Sequence, residues 1–182
     1  VGPIQTKTRL FLNPEDLLRA IPVEPRMTVA DFGCGNGHYS TAAGVLVGRK
    51  GQVFAIDIVE DRLSQTLTLA KMVGLNNLST RQCDLEKIGG CPLPDSSCDL
   101  VIVSSLLHQV GERDNVMREA YRILKTGGKV LIVEWKPEAQ FGPESNSRIS
   151  ESEMRKFLEK FGLRPVKNLD AGSFHYALLY SK

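Results

Sequence analysis

A chain of 182 residues, 42% hydrophobic and 24% charged, has the size and balance of one globular domain with a core of its own. The net charge of +2 comes from Lys and Arg interspersed with Asp and Glu, which leaves no basic stripe for nucleic acid and favours a small or neutral partner. The four cysteines show no C-x-x-C spacing, and only one of the three histidines, His38, stands near any of them, which argues against a metal site or a disulfide framework. With no leader pattern and no long apolar run, the expectation is a cytoplasmic protein.

Residues 1–12 are mixed in character and read as an N-terminal extension of a single domain spanning 1–182. Asn13-Pro14-Glu15-Asp16 supplies an N-cap, a proline at the first helical position and two first-turn acids, predicting a helix to Ala20. Met27 to Phe32 has the length of a buried strand, and Gly33-Cys34-Gly35-Asn36-Gly37 follows it before a helix from Tyr39 to Val47. Glycine at alternate positions lets backbone N–H groups approach a ligand closely, and the helix N-terminus beyond adds free donors and partial positive charge. The turn therefore suits a polar, partly anionic small molecule at the end of a strand. His38 stands where a dinucleotide fingerprint needs its third glycine, and Gly37-His38-Tyr39 is not the end of a phosphate-binding Walker loop.

Gln52 to Asp57 is a second apolar run, closed by an acid. A carboxylate at a strand's carboxyl end can accept hydrogen bonds from both hydroxyls of a ribose; it can also cap the helix expected from Glu60 to Val73. A short strand, Ser79 to Gln82, leads into Cys83-Asp84-Leu85, and residues 89–95 form a loop by composition. Cys98 to Ser104 is the fourth strand and Glu112 to Lys125 a helix; Thr126 to Lys129 reads as a turn and Val130 to Glu134 as the fifth strand. Residues 137–149 read as a loop near the site. Ser150-x-x-Glu153 is a capping box for a helix that carries Met154, Phe157, Leu158 and Phe161, and strands at Arg164 to Leu169 and Phe174 to Tyr180 close the chain.

The string Val29-Ala30-Asp31-Phe32-Gly33-Cys34-Gly35-Asn36-Gly37 resembles motif I of the class I S-adenosylmethionine-dependent methyltransferases. Asp57 fits the family's motif II acid, Pro92-Leu93-Pro94-Asp95 its lead into the fourth strand, and Arg122 to Val133 its Arg-x-Leu-Lys-Pro-Gly-Gly element, with Thr126 in place of the usual proline. Within the family the chain looks most like the ubiquinone/menaquinone-biosynthesis group called type 11. The resemblance implies an α/β, three-layer, Rossmann-like fold with a seven-stranded, mostly parallel sheet and an antiparallel last strand. It implies S-adenosyl-L-methionine as cofactor and S-adenosyl-L-homocysteine as product. Asp31 and the turn Gly33, Cys34, Gly35 and Gly37 would surround the methionine part, with Asp57 and Ile58 at the ribose. Asp84 and Leu85 would meet the adenine, and Ser104 and Leu106 the methionine side. No metal is implied.

Methyl transfer from a sulfonium asks the protein mainly to align nucleophile and methyl group, and to manage one proton where needed. His108, leaving the sheet after the fourth strand, is the candidate general base, because an imidazole titrates near neutrality; it can equally be a histidine that packs at the strand exit. Trp135 is either a pocket wall or packing. Ser104-Ser105-Leu106-Leu107 replaces the Asn/Asp-Pro-Pro-aromatic segment of base amine methylation. The reading is a small-molecule methyltransferase, with a protein or RNA target and a silent cofactor-binding subunit as alternatives. The short cover over the site suggests an open pocket, or one closed by a second copy of the chain.

Overall fold

Alternate residues of the same strands point to opposite faces, and that alternation builds two cores on one sheet. Residues 12–182 are described by the structure, a computed structural model. Apart from Leu12, the expected extension over 1–12 lies outside the described residues. The strands are β1 (Thr28–Phe32), β2 (Gln52–Asp57), β3 (Leu78–Gln82), β4 (Cys98–Ser104), β5 (Leu124–Trp135), β6 (Arg164–Leu169) and β7 (His175–Ser181). Between them run α1 (Pro14–Arg19), α2 (His38–Val47), α3 (Glu60–Met72), α4 (Arg113–Ile123) and α5 (Glu151–Glu159). Val101, Val103, Val130 and Ile132 face α4 and α5, meeting Met117, Ala120 and Leu158; Leu100, Ile102, Leu131 and Val133 face α1 and α2, meeting Leu18, Ala43 and Val47. Cys34, Ala55 and Leu63 form a smaller cluster that seats α3 on β2.

The seven strands lie in the order β3-β2-β1-β4-β5-β7-β6. The pairs from β3 to β5 are parallel, while β7 runs antiparallel to both β5 and β6. The chain moves outward from β1 through β2 to β3, then crosses to the other side of β1 to lay down β4. Such a reversal opens a crevice at the carboxyl ends of the strands, where open α/β sheets bind ligands.

Local signals set most boundaries. The Asn13 side chain accepts from the Glu15 and Asp16 N–H groups, with Pro14 at the first helical position. Ser150 and Glu153 form the reciprocal capping box, a device worth about 1 kcal/mol. At α4 the structure departs from expectation. The helix stops at Ile123 rather than Lys125, and the Thr126–Lys129 segment is no separate turn but part of β5. There the ladder jumps from Cys98↔Leu124 to Leu100↔Lys129, a bulge that holds Gly127 at φ +77°. The Gly127 N–H donates to Lys182 O at 3.1 Å and the Lys182 N–H to Gly128 O at 2.9 Å, so the glycine pair finds partners within the sheet. Phe161, expected on the last helix, lies in the turn after α5 and meets Phe157 edge-on at 5.3 Å between centroids. The 137–149 loop contains one 3₁₀ turn, Ser145–Ser147.

Candidate functional site

The turn after β1 takes its shape from left-handed conformations that glycine adopts without strain. Gly33, Gly35 and Gly37 have φ of +67°, +52° and +81°. The Cys34 N–H donates to Ile56 O at 2.9 Å, continuing the β1–β2 ladder, and the Gly37 N–H folds back on Cys34 O at 2.9 Å. A Cβ on Gly37 would stand 2.7 Å from the Thr66 side chain, whereas a Cβ on Gly35 would meet no atom within 4 Å. The Thr66 hydroxyl donates to Gly35 O at 3.0 Å. The turn is thus fastened to α3 on one side and bare on the other.

The bare side faces a cavity of about 1200 Å³ at the carboxyl ends of β1 to β5. Ordinary small-molecule sites run to roughly 1,000 Å³, so this one has room for a cofactor beside an acceptor. Four carboxylates stand on its wall: Asp31, Asp57, Asp84 and Glu86. Asp57 accepts from the Gly35 N–H and the Val59 N–H, both at 3.0 Å, which links the glycine turn to the start of α3. The helix cap itself is Val59. Asp84 accepts from the Glu86 N–H at 3.0 Å, and its second oxygen is 3.4 Å from Lys87 Nζ. Asp31 is 2% exposed and takes the Ser40 hydroxyl. Burial pushes its carboxyl up to about 6, the Ser40 hydrogen bonds pull it back, and the neighbouring Asp57 charge adds to the rise. The Tyr39 hydroxyl is buried at the same wall with no hydrogen-bond partner, and burial holds its phenol above its ordinary range.

Beyond β4 the chain turns sharply. Ser105 takes φ +51°, a left-handed conformation uncommon for serine, and its N–H donates to Val133 O at 2.8 Å. Ser104, Ser105, Leu106, Gln109 and Val110 line the cavity. Leu106 lies beneath Gly33, within 2.9 Å of where a Cβ would sit. Trp135, at the end of β5, both lines the cavity and packs: His175 is 4.0 Å away between ring centroids, and Gly142 lies so close to the indole that a Cβ there would come within 2.5 Å.

Of the residues expected at the site, all but Gly37 and His108 line this cavity. Gly37 is spent on packing against Thr66. The His108 side chain, only 10% exposed, is turned against the wholly buried Glu134, with Nδ1 2.9 Å from Oε2. Glu134 is the residue that sequence reasoning passed over, although a lone acid within the apolar run Val130 to Trp135 is a visible signal. Arg148 was also missed: its guanidinium donates to the carbonyls of Lys136, Pro137, Ala139, Phe141 and Pro143, which gathers the 137–149 loop around one cation. The four cysteines are free thiols, and among the described residues no His, Cys, Asp and Glu groups cluster as metal ligands.

A family described as a methyltransferase domain matches residues 24–162. A ubiquinone/menaquinone biosynthesis C-methyltransferase of Shewanella frigidimarina is 31% identical over 153 residues, and its counterpart in Shewanella sp. strain W3-18-1 is 32% identical over 154. Each alignment covers 84% of this chain, and the chain spans 58% of the length of either relative. A crystal structure of a SAM-dependent methyltransferase from Aquifex aeolicus superposes with a TM-score of 0.85 at 29% identity, over 93% of this chain and 89% of that one. No helix among the described residues is long and apolar enough to cross a membrane. Glycine turn, strand-end acids, sheet order and kinship agree: this chain belongs to the class I S-adenosylmethionine-dependent methyltransferases.

Proposed function

We propose that this chain methylates a small-molecule acceptor at the mouth of the 1200 Å³ cavity, using S-adenosylmethionine. The observation that carries the reading is the union of the glycine turn with Asp57: a bare backbone surface at Gly35 and a carboxylate hydrogen-bonded to its N–H form one wall. Each Asp57 oxygen takes one backbone N–H and keeps a lone pair for a ribose hydroxyl. Asp31 and the unpartnered Tyr39 hydroxyl provide an anion and a hydrogen-bonding group for the cationic methionyl end. Asp84 and Leu85 offer an acceptor and an apolar surface suited to an aminopurine. When bound, the cofactor supplies an electrophilic methyl group with its leaving group already attached.

The protein's own share is alignment and exclusion of water, and alignment is worth several kcal/mol through effective molarity. Ser105, Leu106, Gln109 and Trp135 line the side of the cavity left for an acceptor. Kinship with C-methyltransferases and the indole wall support a planar acceptor methylated at carbon. His108 is the proton acceptor of this proposal, acting through Nε2 because Nδ1 is engaged by Glu134.

Calorimetric titration with S-adenosylmethionine and S-adenosylhomocysteine, followed by incubation of methyl-labelled cofactor with a metabolite extract, tests the reading. Binding of both nucleosides and label in a small organic product are the expected results. Binding without any labelled product makes the chain a silent cofactor-binding module, and absence of binding overturns the site.

A further inference from the structure

Glu134 interrupts an apolar strand and is fully buried. Removing a carboxylate from water costs several kcal/mol unless its oxygens are taken up, and here both are. Oε1 accepts the Leu107 N–H at 2.8 Å, and Oε2 lies 2.9 Å from His108 Nδ1. Leu107 and His108 sit in the segment after β4, between cavity-lining Leu106 and Gln109. Arg113 fixes the same segment from the other side, donating from Nε to Leu107 O at 2.6 Å. One carboxylate thus holds the backbone of this stretch of the cavity wall together with the imidazole carried on it.

Resting on the methyl-transfer reading above, we propose that Glu134 is a positioning residue for that reaction. It sets the path of residues 104–110 and holds neutral His108 in the tautomer protonated at Nδ1, leaving Nε2 as the proton acceptor. The chemistry follows from donor count. With Oε2 as the acceptor, Nδ1 is the donor, and the ring's free lone pair is on Nε2. Glu134→Gln breaks this arrangement without changing shape. Its single carbonyl oxygen serves the Leu107 N–H, its amide group then faces Nδ1, and the imidazole proton moves to Nε2, the wrong nitrogen for a base.

Long-range proton–nitrogen NMR on the ¹⁵N-labelled chain reads the tautomer directly. Wild-type His108 should carry its proton on Nδ1, and Glu134→Gln should carry it on Nε2. With methyl-labelled S-adenosylmethionine and the extract fraction that the wild type methylates, Glu134→Gln should lower turnover by about ten- to a hundredfold. Its S-adenosylmethionine affinity should stay within about threefold, the split that separates positioning from general damage. An Nε2-protonated wild type, an unchanged rate in the variant, or cofactor affinity falling in step with turnover overturns the proposal. Should Glu134→Gln not fold, Glu134→Asp is measured; its shorter arm loses reach to one partner, and unchanged tautomer and rate there overturn the proposal as well. A wild type that binds S-adenosylmethionine yet methylates nothing overturns the methyl-transfer reading itself, whereas an active wild type with an equally active variant overturns only the role of Glu134.

Discussion

Gly35 gives its amide N–H to the carboxylate of Asp57 at 3.0 Å, across the tips of two neighbouring parallel strands. The same carboxylate takes the Val59 N–H, so one side chain fixes both the turn and the start of α3, and its remaining lone pairs are the ones proposed above to meet a ribose. Asp57→Ala should weaken S-adenosylmethionine binding by about 1.5–3 kcal/mol, ten- to a hundredfold, in a calorimetric titration. It should also lower unfolding free energy in urea by about 1–2 kcal/mol, because two backbone donors lose their acceptor. Unchanged affinity would dismiss the ribose assignment.

The two outer contacts of the glycine turn should separate on mutation. At Gly37 an alanine suffers both the left-handed φ of +81° and a Cβ 2.7 Å from Thr66, so Gly37→Ala should lose about 2–4 kcal/mol of folding stability. At Gly35 the φ is +52° but the space is open, so Gly35→Ala should lose only about 1–2 kcal/mol of stability. Its methyl group intrudes where the cofactor is proposed to lie, and affinity should fall at least tenfold. Equal effects of the two variants on binding, once both are shown to be folded, would contradict this division of labour.

Asp31 makes stability depend on pH in a defined direction. Its folded pKa of about 6 lies above the ordinary 3.8, so the folded chain holds this proton more tightly than the unfolded chain does. Stability from this group is therefore full below about pH 4 and is lost as pH rises through about 6, by an amount of the order of 3 kcal/mol. The difference between wild type and Asp31→Asn, measured by urea unfolding from pH 4 to 7.5, should show this loss, since other carboxylates cancel. Above pH 6 the restored charge faces the cavity, and wild-type cofactor affinity should rise there while that of Asp31→Asn stays flat. A flat stability difference would mean that Asp31 is not buried as described.

Arg148 ties five carbonyls of the 136–143 segment together, and that segment sets Gly142 against the Trp135 indole. Arg148→Ala should expose residues 137–147 to limited proteolysis and lower stability by about 1–3 kcal/mol, the worth of hydrogen bonds from a charged donor. Cofactor affinity should hold within twofold, while the KM for the acceptor rises as Trp135 loses its support. A loop equally resistant to protease in the variant would show that other contacts hold it.

Much of the sheet and half of the site were legible in the sequence because their determinants are local. Apolar runs closed by Asp57 or by Gly33 to Gly37 declare strands with something at their ends, and Asn13 and Ser150 announce helix starts through their own side chains. What the sequence could not decide depends on partners distant in the chain. Thr126 to Lys129 has the composition of a turn, yet Lys182 and β4 supply partners that make it a bulged strand. Gly37 matches a cofactor motif, but Thr66 occupies the space beside it. His108 has the chemistry of a free base, but Glu134 on the adjacent strand claims Nδ1 and leaves only Nε2 free. Residue type and spacing state which chemistry is possible; the packing of one strand beside another decides which atoms are left free to perform it.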